Sequence, residues 1–163
     1  MKPALLVIDV QKEFFNPAST QSLNDAIEYI NVGIAIFRKK SLPIICIQHM
    51  DKDDNLVPGQ TGFDLPDSLH VLPSDLHIHK TYGNSFNKTS LAGELAKLGV
   101  DTVIVTGYCA EYCVLSTYRG AEDLDLTPVI LRGSIASGEL ENTKFVESIS
   151  NVISYGTLKK FLE

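Results

Sequence analysis

The sequence predicts an α/β protein: a three-layer α/β/α sandwich built on a mostly parallel sheet of about six strands. Short apolar runs without polar alternation, such as residues 4–10 (ALLVIDV) and 102–106 (TVIVT), suit strands buried on both faces. Segments with an apolar residue every three or four positions lie between such runs. The two kinds of segment alternate along the chain, the order expected of a parallel sheet covered by helices on both sides.

Residues 4–10 form the first expected strand, and the carboxylate of Asp9 ends it. Across 22–40, Leu23, Ile27, Ile30, Ile34 and Phe37 recur at helical spacing, with Ser22 as candidate N-cap. Pro43 opens a second strand, IICIQHM. Residues 51–75 are rich in Asp, Pro and Gly and read as a long functional loop or lid. A brief strand at 76–80 ends in Lys80; the turn Tyr82-Gly83-Asn84-Ser85 then leads to a helix bearing Leu91, Leu95 and Leu98 that stops at Gly99. Next come the strand 102–106, a helix at 110–123, a strand at 128–131, a helix at 140–150, a strand at 152–155 and a short last helix. No repeat or linker interrupts this order, and 163 residues of which 44% are hydrophobic are enough for one core, so a single domain over 1–163 is expected.

A net charge of −6 without any run of Lys or Arg gives no footprint for nucleic acid or an anionic membrane, so the expected partner is a small molecule. No apolar stretch reaches the roughly 18 residues that a membrane span needs, and the expected location is cytoplasmic. Cys46, Cys109 and Cys113 are an odd set without a secretion signal, which disfavours a disulfide framework. Cys46 lies inside an apolar strand and reads as core.

In open α/β sheets, sites gather beyond the carboxyl ends of the strands. Three such ends carry reactive groups: Asp9, Lys80 and the segment 107–113. Cys113 falls in the first turn of a helix, where unpaired N–H groups favour a thiolate, although the same place suits a small buried hydrophobe. Asp9 reads as a solvated cap or as a carboxylate facing a cation or substrate. Lys80 by itself reads as a surface lysine. Neither Asp9 nor Lys80 is expected to fill the core.

The run Asp9-Val10-Gln11-Lys12-Glu13-Phe14 resembles the Asp-x-Gln-x-x-Phe opening of isochorismatase-like cysteine hydrolases. Lys80 with Tyr82-Gly83-Asn84-Ser85-Phe86 is similar to their Lys segment, and 105–114 to their nucleophile loop; the closing VISYGTLKKFLE resembles their last strand and helix. The resemblance implies a small amide cleaved through a Cys113 thioester, with Asp9 as base and Lys80 as electrostatic partner that lowers the thiol pKa. It also implies that Phe14 and Phe86 line a substrate pocket, that Gln11 braces the Asp9 loop beside the substrate, and that no cofactor is needed. A homo-oligomer, dimer or tetramer, is implied as well. A cis peptide between Tyr108 and Cys109 is implied, aiming the N–H groups of Cys109 and Cys113 at one oxyanion.

Tyr108, Cys109, Ala110 and Glu111 depart from the smaller residues common there, and the bulk of Tyr108 reshapes the pocket. The Cys109 side chain is filler or a second thiol able to pair with Cys113. Nicotinamidases add a metal site with Asp-x-His and a later His; here His49-Met50-Asp51 is reversed, and Asp53, Asp54, His70, His77 and His79 fall at other spacings, so no metal is expected. Residues 51–54 read as a solvated loop. A vinyl-ether hydrolase, a non-catalytic protein and a redox-sensing thiol protein on the same fold remain as alternatives.

Overall fold

A computed structural model describes residues 1–162. Every residue of β1, Pro3–Ile8, is buried, and its pleat divides the core in two. Ala4, Leu6 and Ile8 point into one apolar cluster, and Leu5 and Val7 into the other. The first cluster packs against α2 (Leu91–Lys97), α3 (Leu115–Glu122) and α4 (Leu140–Ser148) through Leu91, Leu95, Tyr118, Ala121 and Val146. The second packs against α1 (Thr20–Lys39) and α5 (Tyr155–Leu162) through Leu23, Ile30, Phe37 and Leu158. Each buried Leu, Ile or Phe contributes about 1.5–3 kcal/mol, so both helical layers are held by the residues that set the sequence periodicity.

The remaining strands are β2 (Ile44–His49), β3 (Leu76–Lys80), β4 (Thr102–Tyr108), β5 (Thr127–Ala136) and β6 (Val152–Ile153). They form one six-stranded sheet in the order β3-β2-β1-β4-β5-β6 with every pairing parallel, which is the predicted architecture. The register aligns Ile8 with Ile47 and with Gly107, and His49 with Lys80. Asp9, His49, Lys80 and Tyr108 therefore reach one edge of the sheet. The chain turns from one side of the sheet to the other between β1 and β4, the crevice where ligands of such folds bind.

Several boundaries differ from those predicted. α1 begins at Thr20 after Ser19, and Ser22, predicted as its cap, instead accepts a hydrogen bond from the Ser137 N–H at 3.1 Å. β4 continues to Tyr108 and β5 to Ala136, while β6 is trimmed to two residues because Tyr155 already opens α5. The helix predicted at 110–123 begins as a π-helical turn, Ala110–Val114, before α3. The loop 51–75 has structure of its own: Asp51 bridges to Leu56, Thr61–Phe63 forms a 3₁₀ turn, and Leu56, Phe63 and Leu69 are buried. No helix among the described residues is long and apolar enough to cross a membrane.

Candidate active site

Asp9 follows β1 directly and adopts φ +52°, a left-handed conformation that Asp tolerates because its short polar side chain can bond locally. Its N–H donates to the Ile47 carbonyl at 2.8 Å, which fixes the turn and directs the carboxylate inward, where the residue is 1% exposed. Lys80, from the end of β3, is equally buried, and its Nζ donates to Asp9 Oδ2 at 2.7 Å. The same ammonium also donates to the Tyr82 carbonyl at 3.1 Å and meets His49 Nδ1 at 3.3 Å. Lys80 acts on the Cys113 thiol both by its charge and as a hydrogen-bond donor, each drawing the thiol down.

The other carboxylate oxygen, Asp9 Oδ1, is buried and has no hydrogen-bond partner. Asp9, His49 and Cys113 bring one side-chain donor atom each to within 4.8 Å of one another. That trio has the chemistry of a metal site, but a cation there would lie against the Lys80 ammonium, which already engages both Asp9 and His49.

Burial pushes the Asp9 carboxyl above the usual range, with the Lys80 charge and hydrogen bond drawing it part of the way back. Burial also pushes the Cys113 thiol up to about 12; the Asp9 charge adds to that, and Lys80 opposes it. The sequence predicts a thiol lowered by Lys80, whereas in the structure burial and Asp9 outweigh the ammonium. A thiol held in this way rests neutral, and its ionisation would have to be coupled to proton transfer. Burial and Lys80 together lower His49, leaving a neutral imidazole.

These groups form one end of a cavity of about 390 Å³, the size of a small-molecule site. Phe14 and Tyr108 stack at 5.2 Å between ring centroids to form a wall, and Tyr112 flanks the opening. The Tyr108–Cys109 peptide is cis. Cys109 Sγ donates to Glu111 Oε2 at 3.1 Å, so its side chain is engaged in the wall of the cavity.

Two predicted substrate contacts fall elsewhere. Gln11 is fully buried, and its amide is spent on backbone, donating to the His49 and Phe63 carbonyls and accepting from the His49 N–H at 2.7 Å. It braces the ends of β1 and β2 and is not part of the cavity wall. Phe86 packs against the apolar cluster beneath α2 and α3, because the turn preceding it is anchored by Ser85 to Thr117 at 3.0 Å. The residues that sequence reasoning missed are Glu111, with its partners Ser137 and Asn142, and the rim residue Glu139. Nothing in the local sequence marks them, since they converge from three separate segments.

A family model described as an isochorismatase domain matches residues 3–150. The chain belongs to the isochorismatase family. This isochorismatase-family hydrolase is 30% identical over 139 residues to the uncharacterized isochorismatase family protein YrdC of Bacillus subtilis, covering 83% of this chain and 74% of that one. It is 31% identical over 133 residues to nicotinamidase 3 of Arabidopsis thaliana, covering 72% of this chain and 65% of that one. Among solved structures, an isochorismatase-like hydrolase from Alkaliphilus metalliredigens superposes with a TM-score of 0.90 at 23% identity over the whole of both chains.

Within this isochorismatase-family fold, Lys80 is one of the largest fully buried side chains, contrary to the expectation that the core does not need it. Lys80→Ala is expected to cost about 3–5 kcal/mol at pH 8, because it strands a buried carboxylate. At pH 5 the loss is expected to be smaller, since without the ammonium Asp9 titrates higher still and takes up a proton. Urea unfolding at the two pH values checks this; an equal loss at both would mean that Asp9 stays charged without its partner.

Proposed function

We propose that this isochorismatase-family hydrolase is a cysteine amidohydrolase, cleaving the C–N bond of a small amide through a thioester on Cys113. The observation that carries the reading is the division of labour at Asp9. One oxygen is held by Lys80, the other is buried with no hydrogen-bond partner, and the carboxylate lies beside the Cys113 thiol at the end of the cavity.

Asp9 Oδ1 takes the thiol proton as Cys113 Sγ attacks the carbonyl carbon, so charge passes from carboxylate to the developing oxyanion without a free thiolate. The N–H groups of Cys109 and Cys113 receive the oxyanion. As the tetrahedral adduct collapses, Asp9 delivers the proton to the departing nitrogen, and the amine or ammonia leaves. Water then attacks the thioester, giving one proton to Asp9; the carbonyl–sulfur bond breaks, the acid is released and the proton returns to Sγ. The raised carboxyl of Asp9 suits a group that must take up and return a proton in each half-reaction.

Amidase chemistry is also what the names of several similar proteins state. They include the Arabidopsis nicotinamidase, the ureidoacrylate amidohydrolase of Caulobacter vibrioides, 32% identical over 76 residues, and the N-carbamoylsarcosine amidase of Thermoplasma acidophilum, superposed with a TM-score of 0.82 at 23% identity. The test is a panel of small primary amides assayed for ammonia release. Turnover of one or more is expected from the parent, with a loss of at least about 10³-fold in Cys113→Ala. Undiminished ammonia release by Cys113→Ala would sink the reading.

A further inference from the structure

The groups that face the cavity carry one sign of charge. Asp9 lies at its inner end, Glu111 on the wall and Glu139 at the rim. An adjoining cavity, which shares Phe14 and His49 with the first, adds Glu13, Asp51 and Asp54. Among the described residues, no Lys or Arg lines either space. The ammonium of Lys80 is paired with the buried Asp9 carboxylate, and Lys12 is paired outward with Asp67 at 4.0 Å.

Glu111 is built to stay charged. Although burial works against it, hydrogen bonds from its own backbone N–H, from Cys109, from Asn142 at 2.8 Å and from Ser137 at 2.9 Å hold its carboxyl below the usual range. The stacked rings of Phe14 and Tyr108, with Tyr112 beside them, add aromatic surface of the kind that attracts a cation. A substrate carboxylate would enter this space with no cation to meet it and several like charges around it, an arrangement that rejects a ligand.

We propose that the amide taken by this site carries a positive charge, an ammonium, amidinium or quaternary nitrogen that lies against Glu111 and Glu139, and that anionic amides are rejected. The proposal rests on the amidohydrolase reading for the reaction, but the charge preference of the site can be measured without turnover.

The first measurement is the rate at which Cys113 is modified by methanethiosulfonates bearing a trimethylammonioethyl, a methyl or a sulfonatoethyl group, mapped by peptide mass. In each case the Cys113 sulfur forms a mixed disulfide and methanesulfinate leaves. The cation-to-anion rate ratio at Cys113 is expected to exceed that for 2-mercaptoethanol by at least about tenfold at low salt, and to shrink at high salt. Glu111→Gln and the rim variant Glu139→Gln are each expected to cut the ratio several-fold. A ratio no greater than that of 2-mercaptoethanol would overturn the proposal; a high ratio that neither variant changes would overturn the assignment to these two carboxylates.

The second measurement compares 4-(aminomethyl)benzamide, 4-ethylbenzamide and 4-carbamoylbenzoate, amides of one shape and three charges. The expected order of kcat/KM is cation, neutral, anion, with about tenfold or more between the first and last. The reverse order would overturn the charge proposal and leave the amidohydrolase reading intact. No turnover and no acyl-Cys113 with any of the three, beside a high reagent ratio, would instead count against the amidohydrolase reading and leave the charge selectivity standing.

Discussion

Asp9→Asn is expected to lower turnover by at least about 10³-fold while making Cys113 more reactive towards a neutral alkylating agent. The two effects have one origin. The Asp9 charge raises the Cys113 thiol, so its removal lowers the thiol pKa and increases the thiolate fraction at pH 8. Asn also suits the backbone, since it tolerates the φ of +52° at this position. Its amide oxygen can accept from Lys80 in place of Oδ2, which turns the NH₂ group towards the sulfur as a further donor to the thiolate. Alkylation by iodoacetamide is expected to rise several-fold, up to about tenfold for each unit by which the thiol falls. Catalysis is lost nonetheless, because the amide can neither accept the thiol proton nor protonate the leaving nitrogen. Iodoacetamide rates and turnover measured on the same samples check both signs; reduced alkylation would show that Asp9 does not act on Cys113 by charge.

Gly107→Ala is expected to cost about 4 kcal/mol or more, enough to deprive the chain of most of its stability. Gly107 has φ +118°, and a Cβ there would lie 2.0 Å from the Ile8 carbonyl oxygen and 2.7 Å from the Ile8 nitrogen. Both are backbone atoms of the central strand, so no side chain can move aside. β1 and β4 would have to part at the pair Ile8–Gly107, one residue before Asp9 and one before Tyr108, where the cis peptide begins. Gly93 in α2 is the contrasting case: nothing lies within 4 Å of its would-be Cβ, and Ala there is expected to gain about 0.8–1 kcal/mol through helix propensity. Urea unfolding of both variants measures the difference; a Gly107→Ala protein as stable as the parent would contradict the close approach of the two strands.

The sheet was legible because strands buried on both faces must be continuously apolar, as ALLVI and IICI are, and because helices between them keep a period of three to four. Asp9 and Lys80 were legible as reactive groups at strand ends and Cys113 as a thiol in the turn that follows one, and the parallel register brings those ends to one edge. What the sequence hides depends on pairing across the fold. The roles of Gln11 and Phe86 follow from which carbonyls and which core they meet, and Glu111 gains its partners from α4 and from the residue following β5. The direction of the Cys113 shift is hidden for the same reason: position in the chain reveals the nearby cation but not the depth of burial that outweighs it.

The central claim, that Cys113 is the nucleophile of an amide hydrolysis, is tested most directly by acid-quenching the enzyme during turnover of an amide from the panel and measuring the protein's mass. A mass increase equal to that of the acyl group is expected, located on the peptide containing Cys113 and removed by hydroxylamine. No such adduct is expected in Cys113→Ala. Turnover at the parent rate by Cys113→Ala, or an acyl group carried on Cys46 or Cys109, would contradict the claim.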